Sequence, residues 1–320
     1  MLEYNVAFWN VENLFDEEDS PRRTEKLERT IGRELKDWTP ELLDRKLDQL
    51  ASIIQQMNDG NGPDLLGVCE VENEHVLNLL VAKLAALGRN YMVAHDDTAD
   101  SRGIDVAYIY DAAVFTAEEQ FSHYIVKRSA TRDLFQVNFR TNSGNLLVVV
   151  GNHWPSRSRG QYETEPYRII AAETLGYFHE RIRAIQQNTN VAVLAMGDFN
   201  DEPFDRSLVN YALSEQTRSK VTRARSPKFL NLMWPILGER KGTYFYNNDP
   251  MVLDQFMVSK GLVTGKSGIT ADINSAKVVT FPEMVATGVY KKPVRFGRGT
   301  SPNVDGFSDH FPIMMRLSEV

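Results

Sequence analysis

Two polar segments stand against apolar runs that read as buried strands. One is Met196-Gly197-Asp198-Phe199-Asn200, at the end of the run Val191–Met196; the other is Ser308-Asp309-His310, leading into Phe311–Leu317. The arrangement recurs along the chain. Asn10 follows Asn5–Trp9, Glu70 follows Leu65–Cys69 and His153 follows Leu146–Val150, while Asp105 opens Val106–Tyr110 and Asp254 lies in Leu253–Val258. Taken singly, each has an ordinary explanation, because Asp and Asn beside strands are common turn residues. Taken together, two histidines and several carboxylates at strand ends are the groups needed to cleave a P–O bond.

Attack of water on a phosphodiester anion requires charge neutralisation, a deprotonated nucleophile and a protonated leaving oxygen. Mg2+ is a hard ion, held by one or two carboxylates with water in its other positions. Glu70, helped by Asn10, suits that role. A histidine works as acid or base once a partner fixes its tautomer and stabilises its cation. Asp254 and Asp105 are the candidate partners for the two histidines.

These groups need a scaffold of strands. Besides the runs above, Tyr91–Ala94 and Leu134–Phe139 are short, apolar and rich in β-branched or aromatic residues. Thr39-Pro40 reads as an N-cap and first-turn proline, followed by Leu43, Leu47, Leu50, Ile54 and Met57 at helical spacing. Further helices are expected over about Glu74–Leu87 and Glu165–Gln186. The strands from about 106 to 150 have no helices between them, which suits two sheets packed face to face with helices outside each. Nothing marks a boundary, so residues 1–320 read as one domain. Glu17–Lys36, Thr217–Arg240 and Thr287–Gly306 are polar and irregular, and read as loops or insertions, the first as a helical surface excursion.

A net charge of −7 argues against strong non-specific coating of nucleic acid, though a nuclease needs only a local basic groove. The single cysteine, Cys69, excludes an internal disulfide and reads as a buried strand residue. No apolar run reaches membrane-spanning length and the first residues lack a signal-peptide pattern. The expectation is a cytoplasmic protein without membrane contact or an obligate protein partner, or a secreted or periplasmic one if a leader has been removed.

At this point the motifs resemble those of the endonuclease/exonuclease/phosphatase superfamily, the deoxyribonuclease-like metal-dependent phosphoesterases. The matching pieces are the Asn10 segment, Glu70, Asp198-x-Asn200 after glycine, Leu253-Asp254 and Ser308-Asp309-His310, spread in family order over nearly the whole chain. Trp9-Asn10-Val11-Glu12-Asn13-Leu14-Phe15, Glu70-Val71-Glu72-Asn73 and His153-Trp154-Pro155-Ser156-Arg157 are similar to a bacterial branch of unassigned substrate. The resemblance implies a four-layer α/β sandwich of two mostly antiparallel or mixed sheets flanked by helices, with Mg2+ or Mn2+ as cofactor. It implies that Glu70 and Asn10 hold the metal, assisted by Asp309. His310, oriented by Asp254, would act on the water or on the phosphoryl oxygens. Asp198 would position or deprotonate that water, and Asn200 would bind a phosphate oxygen. His153 would be a second catalytic histidine supported by Asp105.

Among the basic residues near these motifs, Arg102 and Arg157 are the candidate substrate contacts, Arg157 because it shares a loop with His153. For Arg132 and Arg168 a surface ion pair is an equal reading. Two basic stretches stand out: Arg218, Lys220, Arg223, Arg225 and Lys228; and Lys291, Lys292, Arg295 and Arg298, with Tyr290 and Phe296 interleaved. The second fits a nucleic-acid or polyphosphate groove, a solvated loop being the plain alternative. The leading expectation is a nuclease acting on DNA or RNA. A second is a phosphatase or phosphodiesterase on a small or lipid phosphoester. A third, a non-catalytic binding protein, is disfavoured because the carboxylates and His310 are all present.

Overall fold

The computed structural model describes residues 2–98, 100, 102–128, 131–298 and 301–319. In chain order the strands are β1 (Leu2–Leu14), β2 (Leu65–Val71), β3 (Tyr91–His95), β4 (Asp105–Asp111), β5 (Phe115–His123), β6 (Leu134–Thr141), β7 (Leu146–His153) and β8 (Ala192–Asp198). There follow β9 (Ser214–Glu215), β10 (Phe229–Asn231), β11 (Tyr244–Tyr246), β12 (Asp249–Met251), β13 (Asp254–Ser259), β14 (Ile269–Ala271), β15 (Lys277–Val278) and β16 (Ile313–Glu319). The α-helices are α1 (Glu25–Leu35), α2 (Pro40–Gly60), α3 (Glu74–Lys83), α4 (Gln161–Ile185), α5 (Arg218–Arg223) and α6 (Lys260–Thr264).

One sheet has the order β14-β16-β1-β2-β4-β3, with β15 also on β16; the other runs β5-β6-β7-β8-β13-β10-β9. Both are mixed. β1 with β2 and β7 with β8 are parallel, so each pair needs a crossover, which α1 with α2 and then α4 provide. Pairing elsewhere in the two sheets is antiparallel, except for the short β9–β10 contact.

Side-chain alternation explains why the strand sequences are apolar throughout. In β1, Val6 and Phe8 face the second sheet while Ala7 and Trp9 face α2 and α3. In β8, Leu194 and Met196 lie between the sheets, and Val193 and Ala195 pack outward with Leu175 of α4. Strands buried on both faces lose the polar alternation of a half-exposed sheet. The result is four layers: helices, sheet, sheet, helices.

The helices follow the expected signals. The Thr39 side chain accepts the Leu42 N–H at 3.3 Å, with Pro40 at the first position. α2 leaves helical geometry at Met57. The helix begun at Glu74 ends at Lys83 and continues as a 3-10 turn over Ala85–Leu87. Glu17–Lys36 carries α1, the expected helical excursion. Thr217–Arg240, expected as a loop, contains α5 and β10. Strand β5 had no clear sequence signal, because it is an edge strand whose outer residues are polar and exposed, with a bulge between Ala117 and Gln120. Gly299 and Thr300 of the stretch Thr287–Gly306 lie outside the described residues. Among the described residues, no helix is long and apolar enough to cross a membrane.

Candidate active site

Register builds half of the site. β7, β8 and β13 are aligned so that His153, Asp198 and Asp254 stand side by side at one end of the second sheet. Gly197 permits this, because a Cβ there would lie 2.1 Å from the Asn152 carbonyl oxygen on the neighbouring strand. Past the turn, Asn200 adopts a φ of 50° and its N–H returns to Asp198 Oδ1 at 2.9 Å. This local bond aims the other Asp198 oxygen into the site.

Bulges build the other half. Asn10 is level with Cys69, and Glu70 is the extra residue between Cys69 and Val71 in the pairing of β2 with β4. Its backbone is left-handed, at φ 64°, which costs about 1–3 kcal/mol for a non-glycine residue and turns its carboxylate out of the strand alternation. Across from it, Glu12 and Asn13 are also left-handed, at φ 54° and 55°. That turn presents the Asn13 N–H to Glu70 Oε2 at 3.0 Å. It also sends the buried Glu12 carboxylate to Arg295 Nε at 2.8 Å and to the Phe296 N–H at 3.2 Å.

The final strand delivers His310 against both halves. The Ser308 hydroxyl donates to the Asn10 carbonyl and accepts the His310 N–H, while Trp9 Nε1 donates to the His310 carbonyl at 2.9 Å. Fixed in this way, His310 Nδ1 lies 2.7 Å from Asp254 Oδ2, and its Nε2 is 3.9 Å from Asp198 Oδ2. The Tyr244 ring covers the imidazole at 4.9 Å between centroids. His153 Nε2 is 3.6 Å from Glu70 Oε1 and 3.9 Å from Asp198 Oδ2. Asn10 Nδ2 reaches Asp198 at 3.2 Å and Glu70 at 3.5 Å, while its Oδ1 accepts the Glu12 N–H. Asn10 therefore presents its amide nitrogen to the carboxylates, while Asn200 Nδ2 donates to the Trp154 carbonyl at 3.0 Å.

Burial and charge divide the two histidines. Burial alone would push the His310 imidazole down, but Asp254 at hydrogen-bond distance, with Asp198 and Asp309, holds its pKa well above the ordinary histidine value. His153 goes the other way. Burial, and then the positive charges of Arg132, Arg102 and His310, hold it well below that value and therefore neutral. Asp198 is raised to about 7, by burial first and then by Asp254 and Glu70 against the opposing charge of His310. Asp309 is raised to about 6 by burial and by Glu12 and Glu70, again opposed by His310. Carboxylates crowded in this way, with oxygen donors on Glu70 and Asp309, fit a divalent cation.

Several sequence expectations need correction. Asp105 does not support His153: its Oδ1 accepts from the Thr98 N–H and hydroxyl, and its Oδ2 faces His95 at 3.5 Å. His153 Nδ1 has no hydrogen-bond partner among the described residues. Arg157 is not free for substrate, because it donates to the Asn200 carbonyl at 2.6 Å and to Asp201 and Asp205. It braces the Asp198–Asn200 turn. Arg168 is wholly buried, with Nε 2.7 Å from Asp201. Arg102 lies at the rim, paired with Asn13 and Glu34. Phe296 is fully buried against Trp38, so it is no stacking platform for bases. In the other basic stretch, Lys220 and Lys228 pair with Glu215. Cys69 is buried, as expected of a strand residue.

Other neighbours of the site include one basic residue weighed from the sequence and two residues the sequence did not point to. Arg132 is almost buried and donates to the Trp154 carbonyl at 3.1 Å. Lys46, on α2, is wholly buried, donates to the Phe307 carbonyl at 2.7 Å, and is lowered to about 8 by burial against the attraction of Glu12, Asp309 and Glu70. Tyr244 arrives on the β11–β12 hairpin. Lys46 and Tyr244 carried no sequence signal, whereas Glu12 and Asn13 belong to the Asn10 motif and Arg132 stood among the basic residues near the motifs.

A double-layered sheet scaffold carries clustered carboxylates and two histidines at its edge, the groups that phosphoester hydrolysis requires. Residues 5–319 match the profile of the Endonuclease/Exonuclease/phosphatase family. The chain belongs to that family and is a hydrolytic phosphoesterase. Solved structures agree on the fold. A family member from Bacteroides thetaiotaomicron aligns over 99% of this chain and 97% of its own at 15% identity, with a TM-score of 0.57. The human Nocturnin catalytic domain with bound sulfate covers 99% and 95% at 14% identity, TM-score 0.58. A mannosyl-6-phosphatase from the same Bacteroides species covers 98% and 99% at 16% identity, TM-score 0.56. No curated protein sequence matches the chain.

Proposed function

We propose that this protein is a divalent-metal-dependent phosphodiesterase whose substrate is DNA or RNA. The observation that supports it most is His310, delivered by the first sheet and, across the junction, locked to Asp254 at 2.7 Å and set 3.9 Å from Asp198 on the second. Glu70 and Asp309 would hold the ion, Mg2+ or Mn2+, with Asn10 beside them. When bound, the ion supplies charge neutralisation to the phosphoryl oxygens. Asp198, Asp254 and His310 also bring one donor atom each within 4.8 Å of one another. His310 and Asp254 already satisfy each other, however, so that trio is assigned to handling water and charge.

In this reading Asp198 orients and deprotonates the attacking water, with Asn10 and the Asn200 N–H fixing its carboxylate. His310 stabilises the developing charge on the phosphoryl oxygens, and Asp254 holds it in the cationic form. His153, neutral beside Glu70, orients the substrate phosphate, and Asn200 contributes a polar contact at the turn. The segment carrying Lys291, Lys292, Arg295 and Arg298 precedes Asp309 in the chain, Arg295 lies 3.8 Å from Asp309, and an exposed Tyr290 accompanies the segment. A basic strip entering a P–O cleavage site favours an extended polyanion over a compact ester.

The competing reading, hydrolysis of a compact phosphomonoester, draws on the likeness to the mannosyl-6-phosphatase. One assay separates the two. Purified protein is given Mg2+ or Mn2+, with an EDTA control, and offered supercoiled plasmid, single-stranded RNA, bis-p-nitrophenyl phosphate and sugar and inositol phosphates. Cleavage of nucleic acid that disappears with EDTA, in His310→Ala and in Glu70→Gln is the expected result. Inert nucleic acid with turnover of a small ester would replace the proposal with the phosphatase reading.

A further inference from the structure

The corrected position of Asp105 exposes a second cluster of donors. β3 and β4 are antiparallel, with His95 opposite Ala107. Side chains alternate, so residues 95, 97, 105 and 107 share one face as the register continues into the loop. His95, Asp97 and Asp105 each bring one ligand atom within 4.8 Å of the others. His95 Nε2 faces Asp105 Oδ2 at 3.5 Å and Asp97 Oδ1 at 3.9 Å.

Acidic clusters are common, and this one stands apart through its imidazole. The His95 side chain is only 4% exposed, yet its Nε2 has no hydrogen-bond partner among the described residues. A buried ring nitrogen aimed between two carboxylates, at separations beyond a good hydrogen bond, is an unsatisfied donor or acceptor that costs stability. Donors around a tetrahedral ion with bonds of about 2.0–2.1 Å stand roughly 3.3 Å apart. The observed gaps come close to that spacing.

We propose that His95, Asp97 and Asp105 form a second divalent-cation site of the Zn2+ class, distinct from the Glu70 and Asp309 centre, which ties down the loop between β3 and β4. The donor set selects the class. One imidazole with two carboxylates suits a borderline transition-metal ion, whereas Mg2+ seeks oxygen ligands and retains its water. Asp105 is held for the task, since the Thr98 N–H at 3.2 Å and the Thr98 hydroxyl occupy its Oδ1 and leave Oδ2 toward His95. Access exists as well. Asp97 is 83% exposed, and both carboxylates line a cavity of about 250 Å³ with Arg22, Arg23 and Glu72. The fourth position of a tetrahedral ion would face that solvent.

The site's place in the fold gives it a role. The tied loop carries Asp100, which accepts from Arg132, and Arg102, which donates to Asn13. Arg132 in turn bonds the Trp154 carbonyl beside His153. A cation at His95 would thus fix the loop that carries Arg102 and that, through Asp100, braces Arg132.

The test uses full-length protein stripped of metal and titrated with Zn2+ by calorimetry, with bound metal counted by mass spectrometry. In a Glu70→Gln/His310→Ala background one equivalent of Zn2+ is expected to remain bound, uncompeted by a tenfold excess of Mg2+. Adding Asp97→Asn or His95→Gln should weaken that binding at least tenfold and remove the Zn2+-dependent rise in melting temperature. Asp97 is on the surface, so its replacement leaves folding intact even if the His95 variant does not fold. Loss of all Zn2+ binding in the Glu70→Gln/His310→Ala protein, or unchanged affinity after Asp97→Asn, would overturn the proposal.

Discussion

Asp254 shows how one residue sets the chemistry of another. It is fully buried, its Oδ2 takes the His310 Nδ1–H, and its Oδ1 has no hydrogen-bond partner among the described residues. A carboxylate in that position stabilises the imidazolium and fixes which ring nitrogen faces Asp198. Asp254→Asn keeps the volume and removes the charge. The expected outcome is a fall in kcat of about 10^2- to 10^4-fold with little change in KM or melting temperature. Steady-state kinetics on bis-p-nitrophenyl phosphate, with a pH profile, decides it, and a loss confined to KM would place Asp254 in binding instead. Glu70 makes a related point. Its carboxylate is aimed by a bulge and a left-handed backbone, local strain that the surrounding pairing holds in place.

Elements carry their own stakes. The segment from Asp16 to Arg23 closes over the end of β2 through a buried pair, in which Arg23 Nε meets Glu72 Oε1 at 2.8 Å and Arg23 Nη2 meets Oε2 at 2.9 Å. Arg23 also donates to the carbonyls of Asp16 and Glu18. Arg23→Ala strands a buried carboxylate and is expected to cost about 3–5 kcal/mol in urea unfolding, whereas exposed Arg29→Ala should cost under about 1 kcal/mol. Equal effects would show that Glu72 finds another partner. On α4, burial holds His179 down from 6.5 to about 3, stacked on Phe229 at 4.0 Å. The unfolded chain therefore takes up a proton below pH 6.5 that the folded chain refuses. Stability from this group is complete above pH 6.5 and is lost as pH falls toward 3, at up to about 1.4 kcal/mol per pH unit. His179→Gln should flatten the decline of unfolding free energy between pH 6.5 and 4.5; an unchanged slope would mean that the imidazole is solvated.

At the scale of the molecule, charge is arranged as an acidic body with a guarded basic rim. Arg102 and Arg298 both meet Glu34 of α1, and both reach Asn13 beside Glu70. Arg295 is likewise engaged by Glu12. In the proposed function, substrate phosphates would compete with these carboxylates for the guanidinium groups. Glu34→Gln is expected to lower KM for a polyanionic substrate roughly two- to tenfold, most at low salt, with kcat preserved. Measuring KM at two ionic strengths tests this, and an unchanged value at low salt would remove the rim from substrate binding.

The sequence by itself determined which residues are polar at strand ends, the long buried strands, the three main helices and the family to which the chain belongs. Those features are local or motif-bound: Thr39-Pro40 caps a helix wherever it lies, and β8 is apolar because both its faces are covered. Tertiary structure alone decided partnership. Asp105 turned to His95 rather than His153, and Arg157 and Arg168 turned to Asp201, because pairing register and bulges set the direction of a side chain while sequence records only its type. Lys46 and Tyr244 join the site from α2 and a small hairpin that carry no motif. Which charges meet at the junction of two sheets depends on contacts between residues far apart in the chain, and those contacts exist only once both sheets have packed.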